Sequence, residues 1–292
     1  MASASSPGGT FTMAEGLTVS RVGFGAMQLA GPGVFGPPRD HDGAIAVLRE
    51  AVTLGITHID TSDYYGPRVT NLLIKEALYP YPESLHIVTK VGAYRDFRGG
   101  WLHSRRPEQL RQAVHDNLIN LGLDAIDVVN LRMGGGSDGH SAVDDSLAEQ
   151  FEELALLQQE GLIKHLGVST VSAEQIAEAQ AIASVVCVQN HYNVAYRGDD
   201  DIVDSLAAQG IAYVPYFPLG GFSPLQSDTL NSVAARIGAT PPAVAQAWLL
   251  QRSPNILVIS GTSSLAHLRE NVAAADLQLS DADVAELDSI TS

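Results

Sequence analysis

The stretch Asp60-Thr61-Ser62-Asp63-Tyr64-Tyr65-Gly66 follows one short apolar run, and a second run, Leu85-His86-Ile87-Val88-Thr89-Lys90, ends in a lysine. A helical pattern near residues 68–78 lies between them. Because strand, helix and strand in succession form the unit of a parallel sheet, the two runs should be neighbouring strands. Their carboxyl ends would then lie side by side, with Tyr65 in reach of the lysine. We therefore expect Asp60, Tyr65 and Lys90 to form one site that the rest of the chain positions.

The same alternation of strand and helix extends along the whole chain. The β-rich runs lie near residues 22–25, 56–60, 85–90, 126–131, 164–168, 185–189, 211–215 and 255–260. The helical patterns lie near residues 42–54, 68–78, 107–121, 144–160, 172–183, 199–209, 226–237 with 241–251, and 264–274. Eight strands alternating with eight helices over this length predict an α/β fold, a closed (β/α)8 TIM barrel. A doubly wound open sheet is the alternative, although no Gly-x-Gly-x-x-Gly segment opens a helix.

Short segments flank the predicted barrel. Residues 10–21 alternate around Glu15-Gly16 and predict a short N-terminal β-hairpin. Ser280 is typical of a helix start, so residues 280–290 predict an extra C-terminal helix that could lie across the barrel mouth. No linker is indicated, and we predict a single domain over residues 1–292 with a disordered tail at residues 1–9.

The composition argues against several classes of protein. The chain has 17 basic and 33 acidic residues, a formal charge of -16, which repels nucleic acids and anionic membranes. Cys187 is the only cysteine, so neither a disulfide nor a zinc cluster is expected within one chain. No apolar run is long enough to span a membrane, and the N-terminus has no apolar signal region. We expect a reduced, cytoplasmic protein without a metal site, and the oligomeric state stays open.

A lysine close to a tyrosine points to proton transfer. The pKa of a free tyrosine is about 10, too high for easy proton exchange near neutrality. An adjacent ammonium group favours the phenolate and lowers that pKa, while a carboxylate orients the lysine. We therefore expect Tyr65 to be a general acid with a lowered pKa, suited to protonating a developing alkoxide.

Polar residues and glycines follow the other predicted strands, at the end of the barrel where active sites lie. In chain order the strand ends are Gly25-Ala26, Asp60, Lys90, Arg132, Ser169-Thr170, Gln189-Asn190, Tyr216, and Gly261 through Ser264. Nearly every strand thus contributes a candidate residue to the same edge.

In order and spacing, these strand ends resemble the motifs of the aldo-keto reductases. The matching segments are Asp60-Thr61-x-x-x-Tyr65-Gly66, Thr89-Lys90, Gly167-Val168-Ser169, Val188-Gln189-Asn190, Tyr216-x-Pro218-Leu219, and Gly261-Thr262-Ser263 through Glu270-Asn271. The resemblance covers about residues 17–275. Within that superfamily, residues 25–40 and 127–132 look most like the bacterial pyridoxal reductases, which reduce pyridoxal to pyridoxine with NADPH.

The resemblance implies catalytic roles. By position, Tyr65 is similar to the proton donor, with Asp60 and Lys90 as its tuning pair. The family usually has a histidine where Arg132 stands, five residues after the aspartate that opens the fourth strand. Because side chains alternate along a strand, Arg132 can still point inward and donate to a substrate oxygen. His140, in the glycine-rich loop that follows, is an alternative replacement.

The resemblance also implies NADPH as cofactor, with NADH as the second choice. At the nicotinamide end it assigns Ser169 and Gln189 to the carboxamide, and Thr170 stands where asparagine is frequent. The ring of Tyr216 would stack on the nicotinamide. The remaining residues expected near this end are Gly25, Ala26, Pro218 and Leu219.

The phosphate and adenine end of the cofactor is assigned to the last predicted helix. Backbone N–H groups at a helix start form an anion site without basic side chains. The resemblance places the hydroxyls of this loop around a 2'-phosphate and the end of the helix around the adenine. The residues concerned are Gly261, Thr262, Ser263, His267, Arg269, Glu270 and Asn271. Gly261 and His267 replace a frequent lysine and a frequent arginine.

Aromatic residues in the loops after the strands suggest a substrate with a flat ring. They are Phe35, Tyr94, Trp101, Tyr192 and Phe222. We therefore predict NADPH-dependent reduction of an aldehyde or ketone to an alcohol, with pyridoxal as the first candidate substrate. Two alternatives stay open: a broad-specificity carbonyl reductase, and a low-turnover NADPH-binding regulatory subunit of the potassium-channel β type, which also lacks the usual histidine.

Overall fold

The computed structural model describes residues 6–134, 145–220 and 225–290. The α-helices in these ranges are α1 His41–Thr53, α2 Val69–Leu78, α3 Pro107–Leu121, α4 Ala148–Gln159, α5 Ala173–Ile182, α6 Asp200–Gln209, α7 Asp228–Ile237, α8 Pro241–Arg252, α9 Leu265–Ala273 and α10 Asp281–Asp288. The strands are β1 Thr10–Ala14, β2 Leu17–Ser20, β3 Phe24–Gly25, β4 His58–Asp60, β5 His86–Val91, β6 Ala93–Arg95, β7 Trp101–His103, β8 Ile126–Arg132, β9 Ile163–Ser169, β10 Val185–Gln189 and β11 Ala212–Tyr213.

Seven strands form one parallel sheet in the order β11-β10-β9-β8-β5-β4-β3. The segment around residue 256 closes this sheet into a ring. Ile256 forms a parallel bridge with Tyr213 on one edge, and Val258 forms one with Val22 on the other. The backbone N–H of Gly23 donates to the carbonyl of Val258 at 2.8 Å. The predicted (β/α)8 barrel is confirmed, with an eighth strand that is reduced to isolated bridges.

The N-terminal hairpin is confirmed and closes the end of the barrel opposite the site. Strands β1 and β2 pair antiparallel, and Leu17 and Val19 pack into the same apolar cluster as Val128 and Leu257. The N–H of Ser20 donates to Thr57 just before β4, at 2.7 Å. Residues 6–9, expected to be part of a disordered tail, are instead hydrogen-bonded, because the carbonyls of Pro7 and Gly9 accept the N–H groups of Val22 and Arg21.

The predicted C-terminal helix is present as α10, but its expected position across the mouth is wrong. It packs on the outer helices, where Arg236 pairs with Asp283 at 2.6 Å and Glu286 at 2.7 Å. The indole N–H of Trp248 donates to Asp288 at 2.9 Å. Helix α10 buries Leu287 in the core beneath these contacts. Its apolar side is therefore covered by the outer helices and not by the mouth.

Strands β6 and β7 form an antiparallel hairpin in the loop after β5 that sequence reasoning missed.

Within the described ranges, no helix is both long and apolar enough to cross a membrane.

Candidate active site

The ends of β4 and β5 bring Asp60 and Lys90 into a buried ion pair. The Lys90 Nζ lies 2.6 Å from Asp60 Oδ1, and each side chain is about 5% exposed. The same Nζ donates to the carbonyl of Thr61 at 3.0 Å, and Gln189 Nε2 donates to the second carboxylate oxygen of Asp60 at 2.9 Å. Both oxygens of Asp60 are therefore hydrogen-bonded, as burial of a charged pair requires.

Tyr65 lies beside this pair, with its ring centre 5.3 Å from Lys90 Nζ. The expected lowering of its pKa is wrong in sign. Burial raises the pKa of Tyr65 well above its ordinary value, Asp60 raises it further, and Arg132 opposes the rise. The charge of Lys90 is largely offset by Asp60 at contact distance, so a neutral phenol is the stable form.

A buried amide network anchors the loop that carries Tyr65. Asn71 on α2 donates to Asp63 at 3.1 Å and to Asn117 on α3 at 2.9 Å, and it accepts from Thr61 at 2.9 Å. Asn120 adds a bond to Asp63 at 2.7 Å. Burial raises the pKa of Asp63, and the bonds from these amides hold it down in part. Sequence reasoning missed this network; the available signal was a set of asparagines on the helices next to the loop, Asn117 and Asn120 being one turn apart.

Arg132 ends β8 directly opposite Ser169 on β9. Its Nη1 donates to the carbonyl of Gly134 at 3.4 Å. Burial raises the pKa of Tyr216, and Arg132 opposes that rise as it does at Tyr65. Its charge therefore acts on both tyrosines of the mouth. His140, the alternative, lies outside the described residues.

The residues expected at the nicotinamide carboxamide meet at the ends of β9 and β10. Ser169 and Gln189 are paired residues of these strands and are almost fully buried. Thr170 adopts a left-handed backbone with φ 57°, its N–H donates to the carbonyl of Gln189 at 2.9 Å, and its hydroxyl donates to the Tyr216 hydroxyl at 3.5 Å. The amide of Asn190 is turned inward, where it bonds both backbone groups of Val171 at 2.9 and 3.0 Å.

Tyr216 is backed by an imidazole that sequence reasoning missed. Its ring is stacked with that of His191 at 5.6 Å between centres, and His191 stacks on Tyr196 at 4.2 Å. Pro218 is buried behind this stack and Leu219 packs against the core. The three rings fix the orientation of the surface expected to carry the nicotinamide.

Gly25 and Gly261 are brought together by a close approach of two backbones. A Cβ atom on Gly25 would collide with the carbonyl of Ile259, and one on Gly261 would collide with the carbonyl of Gly25. Ala26, which follows, is fully buried. Glycine is required at both positions by the barrel closure, whatever binds above them.

Helix α9 presents the residues expected at the phosphate end. Ser264 is its N-cap and accepts the N–H of His267 at 3.5 Å, and Thr262 accepts the N–H of Ser264 at 3.0 Å. His267 lies three and four positions before Glu270 and Asn271, so these three side chains share a helix face. Ser263, His267 and Glu270 are exposed.

Arg269 does not join that face. Its guanidinium pairs with Glu50 on α1 at 2.8 Å. Residues two positions apart on a helix point to different sides, so Arg269 is directed away from His267, and its contact with the 2'-phosphate stays a prediction.

These features fit a dinucleotide. The N-terminus of α9, with the hydroxyls before it, can hold a phosphate, and the Tyr216 stack with Ser169 and Gln189 can hold a flat carboxamide-bearing ring. In the part of the chain that the structure describes, no group of three His, Cys, Asp or Glu side chains is arranged to hold a metal ion.

The five aromatic residues expected at the substrate divide into two groups. The guanidinium carbon of Arg95 lies over the rings of Phe35 and Trp101, 5.4 and 3.9 Å from their centres. Tyr94 points to the opposite face of the hairpin, because it pairs with Leu102 whereas Arg95 pairs with Trp101. The contact of Tyr94 with the substrate stays a prediction.

The expectation that Tyr192 contacts the substrate is wrong. This residue is fully buried, with its ring against Tyr213 and Trp248 and its hydroxyl on Asp200 at 2.6 Å. It belongs to the core and cannot contact a substrate. Phe222 lies outside the described residues.

Comparisons with known proteins agree with this arrangement. The profile of the Aldo/keto reductase family matches residues 21–292. Pyridoxine 4-dehydrogenase of Escherichia coli is 61% identical over 282 residues, which cover 97% of this chain and 98% of that protein. A thermostable aldo-keto reductase in complex with the inhibitor epalrestat superposes with a TM-score of 0.80 at 28% identity, over 96% of this chain and 98% of its own. An aldo-keto reductase from Klebsiella pneumoniae in complex with NADPH gives a TM-score of 0.77 at 25% identity, over 96% and 93%.

Proposed function

This chain belongs to the aldo/keto reductase family, and from that premise we propose that it reduces pyridoxal to pyridoxine with NADPH. The substrate assignment is supported by the identity of 61% to a pyridoxine 4-dehydrogenase over nearly the full length of both proteins. The aromatic pair Phe35 and Trp101 beside the tyrosine is compatible with a flat ring.

The observation that carries the proposed chemistry is the buried Lys90–Asp60 pair, 2.6 Å apart, next to Tyr65. Bound NADPH supplies the hydride that reduces the carbonyl carbon. Tyr65, held neutral by burial, gives its phenolic proton to the carbonyl oxygen and recovers a proton from solvent. While Tyr65 lacks that proton, Arg132 stabilises its negative charge, and Lys90 offsets the charge of Asp60 beside it.

Arg132 has a second role in the proposal. Its guanidinium donates hydrogen bonds to the carbonyl oxygen and holds it within reach of Tyr65. Because arginine stays charged, Arg132 can orient the oxygen and polarise it but cannot exchange a proton. In the proposed mechanism Tyr65 is then the residue that transfers the proton.

NADPH is proposed over NADH on the residues before and on α9. The hydroxyls of Thr262, Ser263 and Ser264 and the imidazole of His267 surround the start of this helix. Their donors suit a 2'-phosphate. The complex of the Klebsiella pneumoniae aldo-keto reductase with NADPH supports the same choice.

The proposal is tested by a substrate panel with NADPH and NADH that contains pyridoxal, benzaldehyde and propanal. We expect the highest kcat/KM for pyridoxal with NADPH. Equal kcat/KM across the panel would replace the proposal by a broad-specificity reductase. Tight NADPH binding with negligible turnover of every aldehyde would replace it by a regulatory subunit.

A further inference from the structure

Val34 adopts a backbone conformation that a β-branched residue rarely adopts. Its φ is 56°, in the left-handed region, where the branched side chain makes the conformation costly. Its side chain is 5% exposed and packs in one small cluster with Tyr64, Tyr65 and Ala93. A strained residue in contact with the proton donor needs partners that hold it in place.

Arg95 is the partner that holds Val34. Its Nη1 donates to the carbonyl of Val34 at 2.7 Å and its Nη2 donates to the carbonyl of Gly33 at 3.0 Å. Its Nε and Nη2 both donate to Gly99, at 3.1 and 2.8 Å. The residue is only 8% exposed, and three backbone carbonyls accept from its guanidinium.

The carbonyl of Val34 links Arg95 to the turn that carries Tyr65. That carbonyl also accepts the N–H of Gly66 at 3.2 Å, and the carbonyl of Gly66 accepts the N–H of Gly36 at 2.9 Å. Gly66 directly follows Tyr65. A change in the Val34 backbone would therefore be transmitted to the proton donor through one hydrogen bond.

The same guanidinium also fixes the aromatic side chains next to Tyr65. The guanidinium carbon lies 3.9 Å from the centre of the Trp101 ring and 5.4 Å from that of Phe35. Tyr64 contacts Trp101 edge to face at 5.7 Å and Tyr65 at 5.3 Å. One buried cation thus joins the loop of Val34, the β6–β7 hairpin and, through Tyr64, the proton donor.

We propose that Arg95 is a positioning residue that keeps Val34 in its left-handed conformation against Tyr65 and holds Trp101 and Phe35 as one wall of the substrate site. The wall selects flat aromatic carbonyl compounds over small aliphatic ones. The inference rests on the proposed carbonyl reduction for its readout and adds a residue and a substrate class to it.

The test is a double-mutant cycle of Arg95→Met and Val34→Gly. Glycine adopts a positive φ without strain, so it removes the need for Arg95 to hold this backbone. We expect Arg95→Met to lower kcat/KM for pyridoxal by roughly tenfold to a hundredfold, with a smaller loss for propanal and an unchanged NADPH dissociation constant. In the Val34→Gly background the same substitution should cost several-fold less.

Arg98→Met is the matched control, because Arg98 lies in the same loop but is exposed. It should leave kcat/KM unchanged for both pyridoxal and propanal. Losses that multiply independently in the cycle would overturn the positioning of Val34 by Arg95, and equal losses for pyridoxal and propanal would overturn the selection by the aromatic wall. If Arg95→Met does not fold, Arg95→Lys replaces it in the cycle, since one ammonium cannot reach all three carbonyls. A wild-type protein without turnover would refute the proposed function, and the cycle would then be measured in thermal unfolding midpoints, where independent effects again count against the proposal.

Discussion

The two sides of the barrel mouth hold their functional residues in different ways. On the acid side, Asp60 and Lys90 are buried, and they are hydrogen-bonded to each other, to the carbonyl of Thr61 and to the amide of Gln189. On the proposed cofactor side, Ser263, His267 and Glu270 are exposed on or before α9. On the acid side, no other group can take over the role of a buried side chain. The proposed cofactor side relies instead on backbone N–H groups and helix caps.

The departures from the family pattern follow this difference. Gly261, His267 and Thr170, which replace frequent residues, lie on the cofactor side, where the backbone can compensate. The motif that carries Asp60 and Tyr65 is intact. Arg132 lies between the two sides, and its guanidinium can keep the hydrogen bonding of a histidine while losing its proton exchange.

Removing the phenolic hydroxyl should have the largest effect. We expect Tyr65→Phe to lower turnover by about 10²–10⁴-fold, with NADPH binding changed less than about twofold because the cofactor side is untouched. Stopped-flow NADPH oxidation and a fluorescence titration measure the two quantities. The control is Tyr64→Phe, one residue away and also buried, which should retain most of the turnover. Similar losses in the two variants would show that packing rather than the proton matters.

Breaking the buried pair comes next. Lys90→Met leaves the carboxylate of Asp60 buried without its cation, and we expect the free energy of unfolding to fall by about 3–5 kcal/mol. Urea unfolding measures it. Adding Asp60→Asn should restore part of the loss. Lys164→Met is the control, because Lys164 is 56% exposed in its pair with Asp127, and we expect at most about 1 kcal/mol there. Equal losses at Lys90 and Lys164 would contradict the distinction between a buried side and an exposed one.

The cofactor side should give the smallest effects. We expect His267→Gln to raise the KM for NADPH by roughly threefold to fivefold, in line with an exposed polar contact of about 1 kcal/mol. Arg269→Gln should change it less than about twofold, since Glu50 already neutralises that guanidinium. Both effects should shrink as NaCl is raised. A larger loss at Arg269 than at His267 would mean that the guanidinium leaves Glu50 when the cofactor binds.

Patterns of short range made the fold predictable from the sequence. The alternation of strands and helices predicted the barrel, and the polar residues at the strand ends indicated which end is its mouth. The eighth strand pairs with its neighbours through isolated bridges, yet its apolar run at residues 255–260 was as clear as the others. The position of α10 depended on Arg236 and Trp248, which are distant in sequence, and no local pattern indicates such contacts.

The meeting of the strand ends was predictable from the sequence, but the electrostatics of the candidate site was not. Neighbouring strand ends placed Lys90 beside Asp60 correctly. The direction of the pKa shift of Tyr65 was predicted wrongly, because the desolvation of the phenol and the pairing of Lys90 arise from the packing of many residues. Tyr192 was misassigned because side chains outside the strands follow no period. Arg95 and Val34 were missed because their function depends on a backbone conformation that the sequence does not reveal.

The pH dependence of single turnover tests most directly whether Tyr65 is a neutral, buried acid. A raised pKa keeps the proton on Tyr65 throughout the ordinary range, so pyridoxal reduction should be flat over roughly pH 6–9. Pyridoxine oxidation needs the phenolate, whose fraction grows about tenfold per pH unit below the pKa, so that rate should rise across the same window. A reduction rate that falls with a midpoint below about pH 9 would mean that the pKa of Tyr65 is lowered, and it would contradict the account.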